Sequence, residues 1–194
     1  ISGVTQDGPR HVIERIAHQN HSRLHQLGRA IRPFATLGGY ATQTNSWSQT
    51  RLGFYRSRHN WPELFIGLLG EHQVRNAALA VATIEVLRDQ GMPIANRAVA
   101  DGLKSVRWPA RFEVLGDRPF LVLDAAHNAP SVIALLESLR QCFAGHTGRK
   151  RLVFAVSSDK DYADMLHLLG GYFDEIHLCR YGNNPRSVPP ERLA

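Results

Sequence analysis

Apolar positions along this chain follow helical spacing at first and break into short unalternated runs after residue 108. Val12, Ile13, Ile16, Ala17, Leu24 and Leu27 fall at helical spacing, and Gly28 can end such a helix. Residues 31–66 read differently. Short apolar runs, among them 51–56 and 64–69, are punctuated by Pro33, Gly38-Gly39, a Thr/Gln/Asn/Ser cluster at 42–50 and Asn60-Trp61-Pro62. That pattern predicts a small antiparallel sheet with hairpins. Gly70-Glu71-His72-Gln73 then opens a helix over 74–89. Ala77, Ala78, Ala80, Val81, Ala82, Ile84, Val86 and Leu87 make it apolar nearly all round, which predicts a central buried element. A second helix is predicted over 96–105, and Trp108-Pro109 interrupts the pattern as a domain boundary. Trp108 is expected to be partly buried there.

Beyond the boundary, strands are predicted at 111–115, 120–124, 151–156 and 173–179, with helices over 131–143 and about 161–170. Phe120-Leu121-Val122-Leu123 runs without alternation into Asp124, as in a strand buried on both faces. Strands alternating with helices imply βαβ units. The fold class is therefore α/β, with 120–124, 151–156 and 173–179 parallel. The polar strand ends at 124–128 and 157–161 should emerge on one sheet edge, where open α/β sheets bind ligands.

Composition narrows the function classes. The 194 residues fit one large or two small domains, and 43% hydrophobic content is enough for a core. The net charge of +6, from 23 basic and 17 acidic residues, suits anionic substrates. No basic run with interleaved aromatics points to nucleic acid. Cys142 and Cys179 stand apart in apolar surroundings, as reduced residues of a cytoplasmic protein do. No apolar run is long enough to span a membrane, and no signal peptide is visible. The chain begins at Ile1 rather than Met, so a fragment is expected.

The candidate chemistry lies in Asp124-Ala125-Ala126-His127-Asn128-Ala129-Pro130. A strand delivers these residues to a helix N-terminus, where free N–H groups favour phosphate or carboxylate. Asp124 and Asn128 are equally plain caps on spacing alone. His18, His21 and His25 share part of one predicted helix face, without an acid or cysteine to complete a metal set. His72, Gln73 and Asn76 place polar groups on the first turn of a buried helix, and capping accounts for them too.

The order of motifs is more specific than any one of them. Gly70-Glu71-His72-Gln73-x-x-Asn76-Ala77 is followed by Trp108-Pro109-Ala110-Arg111-Phe112-Glu113, Asp124-Ala125-Ala126-His127-Asn128 and Ser157-Ser158-Asp159-Lys160-Asp161. From about residue 64 onward this resembles the folylpolyglutamate synthase/dihydrofolate synthase family of the Mur ligase superfamily; residues 1–63 resemble it only loosely. The resemblance implies that 1–107 end a central ATP-binding domain, a small antiparallel sheet with helices. It implies that 108–194 form a Rossmann-like, mostly parallel glutamate ligase domain, truncated at its end. It implies ATP-dependent amide formation, in which a folate or dihydropteroate carboxylate is phosphorylated and L-glutamate displaces the phosphate. ATP and Mg2+ are then required, with a monomer as the working form and neither nucleic acid nor membrane as partner.

Carried over residue by residue, Asn76 would contact the base region, Arg111 the phosphates and Asp124 the ribose or nucleotide edge. His127 would lie at the reacting phosphate and glutamate. Asn128, Ser157, Asp159 and Lys160 would help to place the amino acid. Taken without the family, Arg111 reads as a surface ion pair with Glu113. The sequence departs from the family in lacking any GxxxxGK[ST] element, so no metal ligand is expected within these residues. Ala110 and Ala125 stand where the family usually has glycine. A non-catalytic nucleotide- or anion-binding module, or another Mur-type amino-acid ligase, are the alternative readings.

Overall fold

The computed structural model describes residues 1–42, 46–55 and 60–193. In chain order the elements are α1 (Asp7–Gln19), β1 (Pro33–Thr36), β2 (Tyr40–Ala41), β3 (Ser46–Trp47), β4 (Thr50–Phe54), β5 (Leu64–Ile66), α2 (Glu71–Asp89) and α3 (Asn96–Ser105). They continue with β6 (Glu113–Asp117), β7 (Phe120–Leu123), α4 (Ala129–Cys142), β8 (Arg151–Phe154), α5 (Tyr162–Gly170) and β9 (Glu175–Leu178). The chain divides into two compact units, Ile1–Gly39 with Trp47–Trp108, and Tyr40–Ser46 with Pro109–Ala194.

In the first unit β4 lies between β1 and β5, antiparallel to both, with Phe34 opposite Gly53 and Thr50 opposite Ile66. This is the small antiparallel sheet expected from the punctuated runs. β4 was expected to reach Arg56, which lies outside the described residues. Leu52, Leu64 and Ile66 of the sheet pack on Val74, Ala77 and Val81 of α2 and on Val99 of α3. α2 buries Val74, Ala77, Ala78, Val81 and Ala82, a single stripe at helical spacing, while Ala80 is exposed. It is therefore one-sided rather than apolar all round. Its alanines lose little in water, so alanine content overstated its burial.

α1 stops at Gln19, well before Gly28. His21 takes the left-handed conformation at φ 51°, the Ser22 N–H reaches the Ala17 carbonyl at 2.8 Å and the His21 N–H reaches that of His18 at 3.1 Å. These two bonds close the helix as a glycine usually would. Leu24 and Leu27 consequently leave the helix, and His18, His21 and His25 do not share a helix face.

The second unit contains an antiparallel hairpin and a parallel βαβ unit. β6 and β7 pair antiparallel, Glu113 opposite Leu123 and Asp117 opposite Phe120, with a bulge between Val114 and Gly116. β8 and β9 pair parallel, Arg151 opposite Glu175, with α5 as the crossover. α4 and α5 cover them, and Val132, Leu136, Phe154, Val156, Met165 and Leu169 form the core.

Four expectations change here. β7 is not buried on both faces: Leu121 and Leu123 are 59% and 47% exposed. Its ladder runs antiparallel to β6 and, among the described residues, not to β8. The turn before Phe120 returns the chain onto its sequence neighbour, a local pairing that apolar content alone does not signal. Residues 111–112 are not strand either, because Ala110 and Phe112 are left-handed at φ 56° and 48°. Trp108 is 59% exposed, held in the connecting stretch outside both cores.

Candidate functional site

Arg111 sits at the apex of a turn flanked by those two left-handed residues. Each flank is tied by a carboxylate. The Ala110 N–H donates to Glu113 Oε2 at 2.9 Å, and the Phe112 N–H donates to Asp124 Oδ2 at 2.7 Å. The Ala125 N–H donates to the Ala110 carbonyl at 2.9 Å, and Phe112 itself is buried. The Glu113 carboxylate, expected as an ion partner of Arg111, thus holds the backbone beside it. Asp124 also accepts the Ala126 N–H on Oδ1 at 2.7 Å, so both its oxygens brace main chain. Each oxygen keeps a second lone pair for a further donor.

Four residues on, the chain enters α4 through a reciprocal cap. Asn128 Oδ1 accepts the Ser131 N–H at 2.9 Å, and Ser131 Oγ accepts the Asn128 N–H at 3.1 Å. Pro130 lies in the first turn, as its fixed φ favours. Asn128 therefore caps the helix, the plainer of its two expected roles. The exposed His127 ring places Nδ1 3.1 Å from the Ala125 carbonyl. A carbonyl only accepts, so Nδ1 carries a proton and, in the neutral ring, the lone pair lies on Nε2.

The loop after β8 is pinned from the C-terminal side. Ser157 Oγ hydrogen-bonds the Tyr181 hydroxyl at 2.5 Å, and the Ser158 N–H donates to the Arg186 carbonyl at 2.7 Å. Asp159 and Lys160 pair at 2.8 Å. The hydrogen bond from Lys160 holds the Asp159 carboxyl below the usual carboxylate range, with Arg186 adding attraction. Asp161 caps α5 through the Asp164 N–H at 3.2 Å. Ala126 packs on the core cluster that includes Val156, so both polar strand ends border the same core.

Asn76 lies in the first unit, exposed on the second turn of α2. Its Nδ2 donates to Gln73 Oε1 at 3.2 Å, and buried Gln73 shares a 2.9 Å bond with His72 Nε2. A groove of about 630 Å³ in that unit is lined instead by Phe34, Arg51, Phe54, Trp61 and Glu63 among others. Cys142 is buried, and burial pushes its thiol up to about 11, which leaves it inert at neutral pH. Among the described residues no three His, Cys, Asp or Glu side chains are grouped to hold a metal ion.

Sequence reasoning did not single out Ser131, Glu113 as a backbone brace, or Tyr181. Ser131 was legible as the third residue after a capping Asn. Glu113 and Tyr181 act through backbone turns that no periodicity encodes.

Residues 110–194 match the family model described as Mur ligase, glutamate ligase domain. The folylpolyglutamate synthase of Lacticaseibacillus casei is 33% identical over 128 residues, 66% of this chain and 29% of that protein. The dihydrofolate synthase/folylpolyglutamate synthase of Bacillus subtilis is 29% identical over 161 residues, 81% of this chain and 37% of that protein. Mycobacterium tuberculosis folylpolyglutamate synthase complexed with ADP superposes at a TM-score of 0.77 and 25% identity, over 98% of this chain and 40% of that one. The chain spans about a third of the length of these two curated relatives.

Proposed function

Since residues 110–194 belong to the Mur ligase glutamate ligase domain and the chain is homologous to folylpolyglutamate and dihydrofolate synthases, we propose that it serves in an ATP-dependent ligase. That ligase joins the amine of L-glutamate to a folate or dihydropteroate carboxylate. Residues 1–107 would belong to the ATP-binding part and 108–194 to the part that presents glutamate. The carboxylate oxygen attacks the γ-phosphorus and ADP leaves, giving an acyl phosphate. The glutamate nitrogen then attacks the acyl carbon, and phosphate departs with the electrons of the C–O bond. The amine must also lose a proton.

The observation that carries this reading is the 3.1 Å contact between His127 Nδ1 and the Ala125 carbonyl. That contact commits Nδ1 as a donor. Nε2 is therefore a hydrogen-bond acceptor that can orient the attacking amine and take its proton. Arg111 is a planar fork suited to a phosphate, and a braced turn costs little reorganisation as charge develops. Asp124 meets the ribose through its remaining lone pairs, and Asn76 the base. Asn128, Ser157, Asp159 and Lys160 place the amino acid. No magnesium ligand is assigned in this chain, and no step is routed through the ion.

The test uses the full-length protein with ATP, L-glutamate and either dihydropteroate or a reduced folate. ADP release and glutamate addition should rise together. Nucleotide binding without product from either acceptor would sink the reading and leave a binding module. Product with a different amino acid or acceptor would place it among other Mur-type ligases.

A further inference from the structure

We propose that Ser131 is the positioning residue of His127, an inference that rests on the ligase reading above. The Ser131 hydroxyl has one proton and two lone pairs. The proton goes to the Asn128 carbonyl at 2.8 Å. The lone pairs accept the N–H groups of Asn128 at 3.1 Å and His127 at 2.9 Å. The hydroxyl is thereby saturated, so it is not a nucleophile and not a substrate ligand.

The bond to His127 is more than a cap needs. A reciprocal cap is complete once Ser131 reaches the Asn128 N–H. His127 lies outside the helix, one residue before the cap. Its N–H bond therefore fixes a turn that the helix itself does not require. With the backbone held there and Nδ1 held by the Ala125 carbonyl, the ring is fixed at two points and Nε2 has one direction. Removal of the hydroxyl gives two exposed N–H groups over to water and lets the turn rotate, while alanine remains a good helix residue at that position.

The experiment compares Ser131→Ala, Ser131→Thr, His127→Ala and the double variant His127→Ala/Ser131→Ala in the full-length protein. Ser131→Ala should lower kcat by roughly ten- to a hundredfold, the scale of a misplaced catalytic group. The KM for ATP should stay within about twofold, because ground-state nucleotide contacts are unchanged. Ser131→Thr, which keeps the hydroxyl, should recover most of the loss. In the His127→Ala background the serine change should cost nothing further. An equal loss in both backgrounds would mean the hydroxyl serves structure alone and would overturn the proposal. If His127→Ala keeps wild-type kcat, the role of His127 in the ligase reading fails, and that result is distinct from the first. Nitrogen chemical shifts of the His127 ring give a readout independent of turnover. They should report the Nδ1–H tautomer in wild type and a mixture in Ser131→Ala; an unchanged tautomer also overturns the proposal.

Discussion

Arg111 stands on a turn that its neighbours hold. Two left-handed residues and two carboxylates hold one turn, and the guanidinium is carried by it. Arg111→Ala should lower kcat/KM for glutamate addition by about a hundredfold, the scale of losing one preorganised donor. Arg111→Lys should recover little of that, since an ammonium does not replace a bidentate fork. His127→Ala should lower kcat while leaving ATP binding, measured by calorimetry, nearly unchanged. Wild-type kinetics in both alanine variants would reduce these residues to turn and cap elements. At this scale a strand running into Asp and then Pro marked Asp124, His127 and Asn128 as a group, and Arg111 joined them only through the family resemblance. It did not reveal that Asp124 and Glu113 brace main chain, since that follows from two positive φ angles at residues other than glycine.

Among the elements, helices with a clean stop, the small antiparallel sheet and the parallel β8–β9 pairing were legible, and the pairing of β7 was not. α3 lies at Asn96–Ser105, as its pattern predicts, and α4 begins at Ala129 beside its Asn cap. α1 was read too long because a histidine, not a glycine, took the left-handed closing position. β7 was given parallel neighbours because an apolar run does not say which strand it meets. α5 offers a direct test of its cap. Asp161→Ala should cost about 1 kcal/mol in urea unfolding, the usual loss of an N-cap acceptor. The β8–β9 ladder carries a second test. Hydrogen bonding from Arg151, with Arg149 and His177 nearby, holds the Glu175 carboxyl below its ordinary value of 4.5. A depressed folded pKa stabilises above the unfolded value, and that stability is lost as pH falls through the folded one. The gap in denaturation midpoint between wild type and Glu175→Gln should therefore narrow below pH 4.5. It should stay small throughout, because the pairs are exposed. A gap that widens in acid would contradict the assignment.

At the scale of the molecule, each unit owns its core. Leu64 is fully buried in one and Leu136 in the other. Leu64→Ala and Leu136→Ala should each cost about 2–5 kcal/mol. Hydrogen exchange should localise the added opening, at β4, β5 and α2 for the first and at α4, α5 and β8 for the second. Uniform loss of protection would argue for one cooperative body. The left-handed Ala110 sets the interests of the whole molecule against one another. An alanine there carries about 1–2 kcal/mol that glycine would not, so Ala110→Gly should raise the melting temperature. Glycine also widens the range of angles open to the turn. Heat tolerance and the firmness of the turn that carries Arg111 would then move in opposite directions from a single methyl group.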